Sequence, residues 1–75
     1  MSANLILNKM KSHITKSRLK FLCIPRGMHS IYLNCNNDYW EANNFQNEVL
    51  TKGLAAFIDG KFIITEKGKE ILKTL

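Results

Sequence analysis

The chain has one proline, two cysteines and four glycines in 75 residues, and its first 37 residues contain no acidic side chain. Each shortage excludes something. With Pro25 alone, no linker, repeat or low-complexity stretch divides the chain, and Pro25-Arg26-Gly27 marks a single break between two halves. Cys23 and Cys35 are too few for a disulfide framework. Without a secretion signal, both are expected as reduced thiols in or near the core. No apolar run approaches the roughly 20 residues that a membrane span needs. Leu5-Ile6-Leu7 is followed at once by Asn8-Lys9, which does not make a signal-peptide core. The expectation is therefore a cytoplasmic protein without a membrane partner. Gly27, Gly53, Gly60 and Gly68 form no phosphate-cradling motif. His13, Cys23, His29 and Cys35 lack the paired spacing that favours local metal chelation. No carboxylate pair or oriented Cys–His pair stands out for catalysis. The chain is read as a binding protein, with no catalytic residue, metal or cofactor.

What is present is a single domain over residues 1–75 with an ordinary apolar fraction of 45%. A domain this small buries only about 60% of the surface that its unfolded chain exposes, so its stability is expected to be modest. The net charge of +5 is distributed unevenly. Lys9, Lys11, Lys16, Arg18, Lys20 and Arg26 lie in the acid-free half, while the second half sets all six acids against five lysines. A one-sided positive field favours a polyanionic partner. The plainer reading is a solvated basic face that keeps the protein in solution.

Helical spacing of Ala3, Ile6, Leu7, Met10 and Ile14 predicts a first helix over residues 3–14. Thr15 or Ser17 can cap a second, carrying Leu19, Leu22 and Cys23, although the two could also merge. A strand over residues 21–24 is a weaker alternative. Residues 28–35 read either way: Ile31, Leu33 and Cys35 alternate like a strand, and Ser30 could cap a short helix. A helix here would form a helix-turn-helix with the next one across Asn36-Asn37. A strand would complete a three-stranded sheet. Asp38 with Glu41 three residues later has capping-box spacing and opens a helix over residues 38–52. Ala42, Phe45 and Val49 form its inward stripe, flanked by Tyr39 and Leu50. Gly53 is placed as its left-handed stop.

Asp59-Gly60 sits between two runs rich in branched and aromatic residues and predicts a two-residue type I′ turn. That turn pairs Ile58 with Lys61, Phe57 with Phe62, Ala56 with Ile63 and Ala55 with Ile64. Both faces of such a hairpin are largely apolar, so the outer one should be covered by the closing helix, a third strand or a second subunit. Thr65 caps a final helix in which Ile71, Leu72 and Leu75 fold back on the body. Gly68, in its first turn, is expected to cost about 1 kcal/mol.

The segment Leu50-Thr51-Lys52-Gly53-Leu54, the glycine-turn hairpin and Thr65-Glu66-Lys67-Gly68-Lys69-Glu70-Ile71-Leu72 together resemble the end of the recognition helix, the wing and the closing helix of winged helix-turn-helix proteins. The match covers about a third of the chain. It implies an α+β fold, a small winged-helix domain of three to four helices with a two- or three-stranded antiparallel sheet. It also implies double-stranded DNA as partner and transcriptional regulation as function, with helix 38–52 in the major groove. On that helix Trp40, Asn43, Asn44, Asn47 and Thr51 fall on the outward arc, and three asparagines within five residues weaken a helix without evident structural return. Asn43, Asn44, Asn47 and Thr51 are expected at bases, and Lys52 at a phosphate. Lys16, Arg18, Lys20 and Arg26 are expected to clamp the backbone, with Lys61 near the wing tip. About five neutralised phosphates would give a log–log salt slope of about −4 to −5. The two-faced apolar hairpin 54–65 and the lack of arginine on helix 38–52 favour an alternative: a protein-interaction module, such as a phage- or plasmid-type inhibitor or adaptor. A homodimer through that hairpin fits either reading.

Overall fold

A computed structural model describes residues 12–75. Among them seven elements follow in order: α1 (Lys16–Phe21), β1 (Arg26–Gly27), α2 (Met28–Asn34), α3 (Tyr39–Thr51), β2 (Ala55–Ile58), β3 (Lys61–Ile64) and α4 (Glu66–Leu72). The strands form one antiparallel sheet in the order β1-β3-β2. Four helices around a three-stranded sheet, with the hairpin between the last two helices, make a small α+β fold of winged-helix-like layout.

Most of the helix expected over residues 3–14 lies outside the described residues, and residues 12–14 are not helical. The chain turns into α1 at Thr15, whose hydroxyl accepts the Arg18 amide at 3.1 Å, so the two segments do not merge. Residues 21–24 do not form a strand; they end α1 and turn. Leu19 and Leu22 enter the core, whereas Cys23 stays exposed.

The ambiguity at residues 28–35 resolves as a helix. Ile31 and Cys35, one turn apart, are buried, while Leu33 is 53% exposed, which a half-buried strand would not permit. The third strand comes instead from Arg26-Gly27, paired with Phe62 and Lys61.

The hairpin has the register expected: Ala55 opposite Ile64, Ala56 opposite Ile63, Phe57 opposite Phe62 and Ile58 opposite Lys61. Asp59 and Gly60 both have positive φ, 51° and 77°, as a type I′ turn demands. On its inner face Ala55, Phe62 and Ile64 join Phe45 and Val49 of α3 in one buried cluster. No element among the described residues covers the outer face. Ile58 is 56% exposed there, because α4 packs elsewhere and β1 extends the sheet sideways instead of lying over it.

Where α3 stops, the chain makes a tight junction. Gly53 takes φ 72°, its N–H bonds to Leu50 O, and Leu54 N–H reaches back to Val49 O at 2.8 Å. This paired pattern is the Schellman stop, with buried Leu54 and Val49 as its apolar contact. Thr65 Oγ1 donates to Gly53 O at 2.7 Å and accepts the Gly68 amide at 3.1 Å, capping α4 while fastening it to the end of α3. Leu72 packs on the core, but Ile71 and Leu75 stay exposed.

Gly68 proves to be more than tolerated. It is buried, and a Cβ there would strike the Leu54 carbonyl oxygen and come within 2.6 Å of Ile64 Cγ1. Gly68→Ala is therefore expected to destabilise the domain by about 1–3 kcal/mol in urea denaturation. Gly27→Ser, at an open N-cap that lacks a side-chain bond, should be neutral or stabilising by a few tenths of a kcal/mol. Equal effects for the two would contradict the close approach.

Candidate nucleic-acid interface

α2 and α3 are joined by a turn that depends on two consecutive left-handed residues. Asn36 and Asn37 both have φ 60°. Asparagine reaches this region more readily than other side chains. Asn36 N–H bonds to Leu33 O and Asn37 N–H to Tyr32 O, each at 3.1 Å, which closes α2. One residue later Asp38 Oδ1 accepts the Glu41 amide at 3.0 Å and opens α3. The result is a helix-turn-helix, with α3 held from behind by Ala42, Phe45 and Val49.

The outward arc of α3 presents Trp40, Asn43, Asn47 and Thr51 to solvent. Asn44 is half-buried and differs: its Nδ2 donates to Trp40 O at 2.8 Å, so its amide is partly spent within the helix. Trp40 meets the His13 ring edge-on at 5.2 Å yet keeps 63% of its surface exposed. Tyr39 and Leu50, expected beside the inward stripe, are 76% and 40% exposed. Tyr39 stands instead at the rim of a shallow groove of about 280 Å³ between α2 and α3, with Met28, Tyr32 and Gln46. The alternating pattern over 28–35 concealed this groove, because it exists only if that stretch is helical.

The basic residues divide into two groups. Arg18 Nη1 donates to Glu41 Oε1 at 3.0 Å and to His13 O at 2.7 Å. Arg26 Nε donates to Phe21 O at 2.8 Å, and its guanidinium lies 3.9 Å above the Phe21 ring. Both arginines thus serve contacts within the fold. Lys16 and Lys20 on α1 and Lys61 after the hairpin turn are exposed and have no ion-pair partner among the described residues. Lys52 is exposed but pairs with Glu48 at 2.8 Å. The amides thus share one arc of α3, while the unpaired lysines sit on other elements.

The two α3 carboxylates face the segment that precedes α1. Hydrogen bonds from His13 and then Arg18 hold the Glu41 carboxyl below the ordinary carboxylate range. Burial pushes Glu48 up, but Lys52 Nζ, Ser12 Oγ and the His13 amide outweigh it and hold this carboxyl low as well. Cys35 is the reverse case: burial raises its thiol, against the opposing charge of Arg18. No group of three or more His, Cys, Asp or Glu among the described residues could hold a metal ion, and no helix among them is long and apolar enough to cross a membrane. No family model, curated protein or solved structure matches the chain.

Because both carboxylates have depressed folded values, their hold on residues 12–18 is complete above the ordinary value of 4.5 and is lost as pH falls through those lower values. The protection factor of the His13 amide, which bonds to Glu48 at 2.7 Å, should fall in that acid window. Core amides of α3 should hold to lower pH. Hydrogen exchange corrected for intrinsic rates measures this, and constant His13 protection through the window would refute the tether.

Proposed function

We propose that this chain is a winged-helix DNA-binding protein of the cytoplasm that acts as a transcriptional regulator, with α3 in the major groove. The observation that carries this reading is the helix-turn-helix whose second helix turns a polar, amide-bearing arc to solvent. An α-helix fits the major groove of B-form DNA, and amide side chains can pair with base edges there. The net charge of +5 supplies the long-range attraction. Backbone contacts fall to Lys16, Lys20 and Lys61. Arg18 and Arg26 position the elements that carry these contacts, and Lys52 can exchange Glu48 for a phosphate.

With about three phosphates neutralised by these lysines, log affinity should fall with log salt at a slope of about −3. Lys9 and Lys11, outside the described residues, can steepen it. A mobility-shift titration on duplex DNA from low to moderate salt measures the slope. Absence of binding at low salt, or a flat response, rejects the proposal.

A second reading is favoured by the outer face of the sheet, which no element among the described residues covers. Ile58 is 56% exposed there and shares a shallow surface with Pro25 and half-buried Ile63. This face suits a second copy or another protein partner, alone or together with DNA binding. If it joins two copies, Ile58→Asp should convert a dimer to a folded monomer in sedimentation equilibrium. A wild-type chain that is already monomeric at high concentration would remove the homodimer.

A further inference from the structure

We infer that α3 reads A·T base pairs in preference to G·C, an inference that rests on the DNA-binding reading above. It follows from which side chains on this helix are available and which are engaged. Guanine offers two acceptors in the major groove, O6 and N7, which a two-donor guanidinium or ammonium matches. α3 has no arginine, and its C-cap lysine, Lys52, pairs with Glu48 at 2.8 Å and is assigned above to a phosphate, not to a base. Cytosine offers an N4 donor, which a carboxylate matches. Glu41 is held by Arg18 and His13, Glu48 by Ser12, the His13 amide and Lys52, and Asp38 by the helix cap. The groups that would read a G·C pair are therefore missing or already bonded.

The groups that match A·T are the ones left open. Asn43 and Asn47 are exposed and make no hydrogen bond among the described residues. Each amide can donate an N–H to adenine N7 while its carbonyl oxygen accepts from adenine N6. Asn44 is excluded by its bond to Trp40 O. Trp40 and the Thr51 methyl flank the two free amides on the same arc and give apolar contact for the thymine C5-methyl group. Asn43 and Asn47 lie one turn apart, about 6 Å along the axis. That span is close to two base-pair steps of about 3.4 Å each, so the two amides address adenines up to two steps apart.

The full chain, titrated by fluorescence anisotropy against A·T-rich and G·C-rich duplexes of equal length and salt, tests this. About tenfold tighter binding to the A·T-rich duplex is expected. Asn43→Ala and Asn47→Ala should each move the ratio of A·T-rich to G·C-rich affinity toward one. Alanine favours the helix, so both variants should fold. Replacing adenine by 7-deazaadenine removes N7 and leaves the minor groove intact, and replacing thymine by uracil removes the methyl group. Both should weaken binding to the A·T-rich duplex. Equal affinity for the two duplexes, with a normal salt slope, overturns this inference and leaves DNA binding standing. An A·T preference that ignores 7-deazaadenine and both alanine variants also overturns it, since minor-groove shape would then be what is read. No binding to either duplex overturns both readings.

Discussion

The packing of α4 against the end of α3 depends on the absence of one β-carbon. Without a β-carbon, Gly68 lets the first turn of α4 lie directly against the backbone of Leu54. The left-handed stop at Gly53, the Thr65 hydroxyl and the paired hairpin converge on the same spot. Ile64 N–H bonds to Leu22 O at 2.9 Å, so the end of α1 joins there too. The pitch of α3 relative to the sheet is set at this junction. α3 leaves its far side exposed and is held by its buried stripe of Ala42, Phe45 and Val49 together with this junction at its end.

The two arginines illustrate how a small fold allocates its cations. A guanidinium offers several donors in a fixed plane and is less strongly hydrated than an ammonium, which suits it to half-buried bridging. Arg18 accordingly ties residue 13 and α1 to Glu41, with 17% of its side chain exposed. Arg26 closes over Phe21. The lysines, more strongly hydrated, remain outside. The cations left exposed and unpaired among the described residues are therefore ammonium groups.

The parts of the fold that local chemistry decides could be read from the residues. Asp59-Gly60 fixes the hairpin register because few other dipeptides accept two positive φ angles. Asp38 and Thr65 announce helix starts, and Gly53 announces a stop. Residues 28–35 resisted because Ile31 and Cys35 satisfy a helical repeat while the intervening Leu33 counterfeits alternation. That leucine proves to be on the surface. The outward arc of α3 followed from the inward stripe, and Asn43, Asn47 and Thr51 lie where its periodicity puts them. The engagement of Arg18, Arg26 and Asn44 depends on partners 23, 5 and 4 residues away, brought close by folding or by a helical turn, and composition gives no sign of it. Gly68 misled in the same way: its cost in a helix is visible locally, but the carbonyl that requires it is fourteen residues away.

The single tryptophan of the chain stands on the arc proposed for recognition, in a T-shaped contact with His13 and with most of its surface in water. Its fluorescence is consequently a poor gauge of unfolding, since a solvated indole changes little when the chain opens. It is a good gauge of occupancy. Anything that settles over α3 must shield this ring, and the emission of the unlabelled protein will register the event without interference from a second indole.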